Sequence, residues 1–589
     1  MNTVHVCLIP SGVHRGEVLV LDGNLFNHPV RAFQPWSIVN PYWPQPNPNF
    51  WPGQPAVQYR FHNATLQMPL QASGMPEGEL FCAGQCWMAD GRLLMCGGTA
   101  RYPFQTGGGF EGTKFVYLWD HVPNLTTGDP FGKWWRMADL EVPRWYPTVT
   151  YYGTADHRAI VIGGTHWNPP PINTQKVSSY EVVRPAFGTI PPQLQPIPND
   201  FDTKLTATSP GWTPSPPSPL ASIRQYWGPV DLRFGDYPRV HTLGILEPIS
   251  VGTAPRLFVS GFFAQGIRWA HDHRVDPTFN TAGGQGFEIG QMPPHDDVEV
   301  HYGTSLLLPG IPGGISAQVA RIGGQRYPPG STQGYQSKRV ETVTVNLSLP
   351  TTSRWWSTGT GSIPEMNVAR SLANVVLLPT GQLFAIGGRS GPTSFSDTPE
   401  LLVDGTWVPM APHTGIREYH SAAILLPDAR VFVCGGESRM VAPIPGIFTG
   451  PPPGPDYLIW EPPYFQLSNG GVPVTITVKN DATGLTVLQT AIGGLQAMQY
   501  GQTYRAEWTN TLDPGISIAN VVLMRPAALT HHDDGGQRMV RLNAWDDGTE
   551  NSVVFQSPPS VLHAQDGWWM LFLVNSEGRP SQAYWVHLR

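Results

Sequence analysis

The sequence predicts an all-β protein, a seven-bladed β-propeller of kelch type followed by an immunoglobulin-like β-sandwich. Two observations carry that prediction. An apolar strand, a turn and a second apolar strand ending in Gly-Gly or Gly recur seven times along the chain. Beyond a proline-rich connector, the pattern changes to short alternating strands. Composition agrees with both. Glycine (64) and proline (62) together make about 21% of the 589 residues, against roughly 12% in average usage. That content excludes a coiled coil. An aromatic share of 11% excludes disorder, because those rings would have to stay in water. No apolar run reaches membrane-spanning length; the longest, such as Gly567–Val574, have strand length.

The seven copies run in order as Val4–Gly23, Gly84–Gly98, Trp145–Gly164, Val240–Gly261, His301–Gly324, Ser371–Gly388 and Tyr419–Gly436. Their turns read Asp-Gly, Pro-Ser-Gly, Pro-Thr-Gly and Pro-Asp, which are hairpin signals. Their strands are nearly continuous runs of Val, Leu and Ile, as expected of strands buried on both faces. Each copy is expected to be one hairpin of a four-stranded blade. The closing glycines permit positive φ where a strand must stop sharply. The largest gap, Gly164 to Gly261, holds Asn168–Pro171 and a Ser/Pro-rich run, and reads as a loop insertion on one face. A second Pro/Trp-rich loop covers Gln34–Pro55.

The connector Pro443–Pro463 ends the propeller, so the expected domains are 1–455 and 456–589. In the second, strands are expected at Val472–Val478, Thr503–Thr509, Ala519–Met524, Met539–Asn543, Ser552–Phe555, Trp568–Val574 and Ala583–His587.

Net charge is −7 with no Lys/Arg cluster, so there is no electrostatic footprint for nucleic acid. Five cysteines in this length do not make a disulfide framework. Cys7, Cys86, Cys96 and Cys434 read as core residues of blade strands. The start, Met1–His5, has neither a basic n-region nor an apolar h-region, so the chain as written is cytosolic or lacks its leader. Asn63, Asn124 and Asn346 begin glycosylation sequons, and His271-x-His273 reads as an exposed polar loop. A monomer is the default.

Four places carry candidate chemistry. Phe81-Cys82-Ala83-Gly84 precedes the second hairpin, and Arg144-Trp145-Tyr146-Pro147 opens the third. Tyr419-His420 opens the seventh. In a propeller these three lead-in points converge near the axis. The fourth, Thr530-His531-His532-Asp533, precedes Asp534-Gly535-Gly536, a turn signal that puts His531 near a hairpin tip able to reach the channel. Two His and two Tyr oxygens suit a tetragonal Cu(II) site. Taken singly each motif has an ordinary structural explanation, and two rivals stay open. One is a non-catalytic β-propeller that binds carbohydrate or protein. The other is a hydrolase using His531-His532-Asp533 with a divalent metal.

In this order, Phe-Cys-x-Gly, Arg-Trp-Tyr, Tyr-His and Thr-His before Gln537-Arg538 resemble the galactose oxidase and glyoxal oxidase family of copper radical oxidases. Gly567–Phe572 and Asn575-Ser576 resemble that family's C-terminal sandwich. The resemblance implies oxidation of a primary alcohol or small aldehyde by O2, with release of H2O2. It implies one copper ion held by Tyr146, Tyr419, His420 and His531. It also implies a 3'-(S-cysteinyl)-tyrosine joining Cys82 to Tyr146, with Tyr419 as the base. By the same likeness Arg239, Tyr327 and Phe395 are expected to touch substrate, and His166 or Trp167 to cover the thioether. The Arg-Trp-Tyr form leans toward the glyoxal oxidases. Ala369-Arg370-Ser371-Leu372 departs from galactose oxidase where its wall Phe stands, which weakens galactose as the substrate. Secretion or a cell-surface location is also implied.

Overall fold

The computed structural model describes residues 3–22, 33–39, 61–67, 77–121, 132–151, 159–183, 236–243, 257–260, 273–275, 290–291, 299–346, 363–436, 457–467 and 471–589, apart from 13, 107, 138, 168–173, 178–179, 311–315, 329–330, 332, 492–493, 535 and 562. Among these residues the protein is all-β, with one four-residue α-helix at Pro103–Thr106 and a short 3₁₀ turn at Pro463–Gln466. The proline-rich stretches 40–60, 184–235 and 437–456 lie outside the described residues, as do Asn124 and His271.

Each expected hairpin is an antiparallel pair. Thr3–Leu8 pairs with Val18–Asp22, Gly84–Trp87 with Leu93–Cys96, and Thr148–Tyr151 with Ala159–Ile162. Val240–Thr242 pairs with Leu257–Val259, and Thr304–Leu307 with Ser316–Ile322. Asn374–Leu377 pairs with Leu383–Ile386, and Ser421–Leu425 with Val431–Gly435. Each pair gains at least one further strand on its outer side, giving a succession of separate open sheets. Inner strands of neighbouring sheets touch through polar side chains. His241 Nε2 lies 2.8 Å from Ser305 Oγ, Thr304 donates to the Ala373 carbonyl, and Asn374 donates to Ser421 Oγ at 2.8 Å.

The glycine endings have a more specific cause than strand termination. In three consecutive-sheet contacts, the N–H of the second glycine donates to the carbonyl of an arginine that leads into the next sheet. These bonds are Gly98 to Arg144 (3.0 Å), Gly324 to Arg370 (2.7 Å) and Gly388 to Arg417 (2.6 Å). A Cβ on the first glycine would lie 2.6, 2.4 and 2.2 Å from those same carbonyl oxygens, at Gly97, Gly323 and Gly387. Each arginine then turns its guanidinium back onto the glycine carbonyl of its own sheet: Arg144 to Gly163, Arg370 to Gly387 and Arg417 to Gly435. Buried carboxylates complete two of these locks, Glu181 at 3.0 Å from Arg144 and Glu400 at 2.7 Å from Arg370.

One to three residues before six of the inner strands, the chain passes through a non-glycine residue at positive φ. These are Cys82 (66°), Tyr146 (61°), Tyr237 (43°), Tyr302 (55°), Leu372 (58°) and His420 (62°). Backbone bonds join several of them: Tyr146 N–H to Cys82 O (3.0 Å), Tyr237 N–H to Tyr146 O (2.7 Å) and Leu372 N–H to Tyr302 O (2.8 Å).

The C-terminal segment forms two four-stranded sheets. Strands lie close to the expected positions, except that the first is Thr477–Asn480 rather than Val472–Val478. Gly567–Asn575 is buried on both faces. Trp569, Leu571 and Leu573 face the core between the two sheets. Trp568, Met570, Phe572 and Val574 pack instead into the core containing Val375–Leu378 and Ala422–Leu426. All five cysteines are buried free thiols.

Gly387→Ala should be severely destabilising, because the methyl meets the Arg417 carbonyl and the residue sits at φ 70°. A loss of about 3 kcal/mol or more is expected by urea unfolding. A change below ~1 kcal/mol would show that the Gly-Arg contact is dispensable.

Candidate metal centre

Tyr146 and His420 belong to the series of positive-φ residues, and Tyr419 directly precedes His420. His531 arrives from the opposite end of the chain. The strand Ala528–Thr530 inserts beside Thr3–Leu8, with His5 opposite Thr530. On its other side Gln85 donates to the Leu529 carbonyl and Trp87 Nε1 to the Ala527 carbonyl, both at 2.9 Å. Gln537 extends the grip by accepting from Leu377 N–H at 2.6 Å.

The turn is tighter than the expected Asp-Gly-Gly tip. Thr530 and Asp533 exchange both backbone bonds, at 3.0 and 2.7 Å, so His531 and His532 are its two central residues. Both have positive φ, 48° and 62°. That geometry normally selects Gly, Asn or Asp. Here surrounding contacts hold it, chiefly a buried ion pair between Arg239 and Asp533 at 3.0 Å.

The expected residues converge. His420 Nε2 lies 2.7 Å from His531 Nε2, and both imidazoles are buried. The hydroxyls of Tyr146 and Tyr419 are hydrogen-bonded to one another. The Tyr146 ring lies 4.7 Å from the His531 ring, and Tyr419 lies 3.9 Å from His420. Cys82 Sγ is 4.0 Å from His531 Nε2 and packs in the same buried cluster as Tyr146.

These donors fit a metal. Imidazole nitrogens bind first-row ions at about 2.0 Å, so two at right angles lie about 2.8 Å apart, close to the separation here. Thr530 Oγ1 is 2.8 Å from His531 Nδ1. Where that hydroxyl accepts from Nδ1–H, the Nε2 lone pair faces His420. Burial, then the neighbouring His420, pushes His531 well below the ordinary imidazole range. Among the described residues no three His, Cys, Asp or Glu side chains group as metal ligands; the phenols of Tyr146 and Tyr419 stand beside the two imidazoles as oxygen donors.

Other expected residues fall elsewhere. The ring on Tyr146 is Trp145, not His166 or Trp167: centroids lie 3.7 Å apart at 10°, with Phe110 stacked beyond at 4.2 Å. Tyr146 has positive φ, and its ring lies against that of the preceding residue. His166 is half-buried on the strand Thr165–Trp167, which runs beside the Trp145 backbone. Trp167 is buried, its N–H bonded to the Phe110 carbonyl. Arg239 is buried against Asp533 and the Gly303 carbonyl, so it grips the His531 turn instead of facing an open pocket. Tyr327 packs on His301 at 4.8 Å and Phe395 lies near Arg389. Neither belongs to the cluster around Cys82 and Tyr146. Tyr237, Tyr302 and Leu372 do pack there, and none of them is among the site residues expected from the sequence. Aligning the repeats on the residue two or three before each inner strand would have found them.

Residues 489–588 match the family model described as galactose oxidase-like, early set domain. A galactose oxidase of Gibberella zeae is 32% identical over 222 residues, covering 36% of this chain and 29% of that protein. The chain thus spans under a third of that relative. A putative aldehyde oxidase of Artemisia annua, Art an 7, is 22% identical over 534 residues, 86% of this chain and 75% of its own length. A fungal alcohol oxidase with catalytic diversity among the AA5 family, solved in complex with copper, has a similar fold. Its TM-score is 0.61 at 17% identity, covering 99% of this chain and 96% of that one.

His5, His531 and His532 are all held below the ordinary imidazole value by burial, His5 to about 3. They stay neutral in the folded chain while the unfolded chain protonates them below about pH 6.5. The stability of the metal-free protein should therefore be full above that pH. It should fall below it by up to about 1.4 kcal/mol per pH unit per histidine. Urea midpoints from pH 8 to 5 measure this; a flat profile would refute it.

Proposed function

Starting from this likeness to galactose oxidase and the glyoxal oxidases, we propose that the protein is a copper radical oxidase. It oxidises a primary alcohol to an aldehyde, or a small aldehyde to an acid, and reduces O2 to H2O2. The observation that carries the reading is the meeting of Cys82, Tyr146, Tyr419, His420 and His531 from four distant stretches of chain. The scaffold we propose is a seven-bladed propeller over 1–455 and an immunoglobulin-like sandwich over 456–589 that lends His531. Polar contacts between successive inner strands support it.

His420, His531, Tyr146 and Tyr419 hold one copper ion. When bound, copper supplies a one-electron store beside the substrate oxygen and a route for electrons to O2. Alcohol oxidation removes two electrons, so a second store is needed. Tyr146 would provide it, and a bond from the sulfur of Cys82 to its ring would make it easier to oxidise. Tyr419 takes the substrate's hydroxyl proton. Tyr146 takes a hydrogen atom from the substrate carbon. Trp145 and Phe110 stack outward from Tyr146 and shield it from water. The half-buried side chains in the cluster, Phe110, Trp145, Tyr302 and Tyr419, are aromatic, which favours a substrate with a small or apolar carbon skeleton. A non-catalytic module gives no reason for the Cys82–Tyr146 neighbourhood, and a hydrolase none for either residue.

Copper-loaded protein should produce peroxide with at least one class in a screen of alcohols, sugars and aldehydes. Silence across all classes, with no radical absorption after oxidation, would favour the binding module. Tyr419→Phe should lower kcat about 10²- to 10⁴-fold with copper retained. Loading in air should remove two hydrogen atoms from the intact mass, and Cys82→Ser should abolish that change. If the loss persists in Cys82→Ser, the thioether lies elsewhere.

A further inference from the structure

We propose that Tyr237 is a positioning residue that sets the mutual placement of Tyr146, His531 and the Cys82 segment, and so governs thioether formation. The proposal rests on the copper radical reading and extends it to a residue outside the ligand set.

Tyr237 touches each part of the centre separately. Its ring stacks on Tyr146 with centroids 4.5 Å apart at 30°. The same ring lies 4.7 Å from His531 at 32°. Its hydroxyl donates to the carbonyl of Ala83, the neighbour of Cys82, at 3.0 Å. Its N–H donates to the Tyr146 carbonyl at 2.7 Å. The side chain is fully buried, and φ is 43°, a conformation an aromatic residue keeps only when its surroundings enforce it. Trp145 also lies nearly parallel to Tyr146. Two such rings cannot share one face, so Trp145 and Tyr237 clamp Tyr146 from opposite sides.

The thioether needs such a clamp. Its formation breaks the S–H bond of Cys82 and a ring C–H bond of Tyr146 beside the hydroxyl, and makes one C–S bond. Two protons and two electrons leave, and with copper bound O2 accepts them as H2O2. The sulfur reaches that carbon only when the ring edge faces it. A ring free to rock would present the edge part of the time.

The test uses the full chain prepared copper-free and reduced, then given copper and air, with loss of two hydrogens timed by intact mass. If the wild-type chain shows no loss, the copper radical reading fails first. Tyr237→Met, which loses the flat face, should form the link at least about tenfold more slowly than wild type. Its melting temperature should fall, because a buried ring and its Ala83 bond are lost, with unfolding still cooperative. Tyr237→Phe, which keeps the ring and loses the Ala83 bond, should be slowed about two- to fivefold. The copper–tyrosine absorption should shift in the Met variant and be largely restored in the Phe variant. Linkage at the wild-type rate in Tyr237→Met overturns the proposal. If that variant does not unfold cooperatively, the Phe variant decides, and an unchanged rate there overturns it.

Discussion

The bond from a closing glycine's N–H to the carbonyl of the next sheet's leading arginine is the contact on which this architecture turns. It needs two glycines just past the strand's end: a Cβ on the first would occupy the space of that carbonyl, and one on the second would meet the carbonyl of Glu79, His301 or Ser371. It fixes one peptide plane at the seam between two sheets. The chain then has two or three residues before it must begin a strand, and a positive-φ residue makes that turn. Tyr146, Leu372 and His420 sit at this point, two or three residues beyond Arg144, Arg370 and Arg417. The arginine is held from its other end by its own sheet's glycine, and at two seams by a buried carboxylate. Such pairs are expensive to break once buried. The placement of the centre is thereby tied to scaffold bonds that carry none of its chemistry.

The inserted strand contributes a second imidazole beside His420. His531 stands on a two-residue turn whose backbone favours small residues. Its position is enforced by Arg239 on Asp533, by Thr530 on the imidazole, and by Gln85 and Trp87 along the strand. Gly567–Asn575 anchors the segment that carries the turn, packing one face inward and the other against its own partner sheet.

Much of this was legible in the residues. The seven hairpins follow from apolar runs bounded by turn signals, and Cys82, Tyr146, Tyr419 and His420 from their equivalent places before those runs; His531 follows from the turn signal after it. The misses share a physical cause. Trp145 stacks on Tyr146, which stands at positive φ, a local geometry that neither propensity nor periodicity records. Arg239 pairs with Asp533, almost 300 residues further along, a contact that no local motif announces. Tyr237, Tyr302 and Leu372 were not expected in the cluster because a lone aromatic or leucine before a strand looks like ordinary core. Only the shared backbone conformation reveals them as members of one series.

That shared conformation has a wider consequence. At several seams the backbone is fixed by neighbours that ignore the side chain it bears: a thiol, three phenols, an alkyl group and an imidazole all occupy equivalent stations. The scaffold therefore behaves as a rack of interchangeable sockets around one centre. Replacing a single residue such as Leu372 or Tyr302 exchanges what faces the centre without redesigning the frame. New reactivity in such a protein is reached by small steps in sequence.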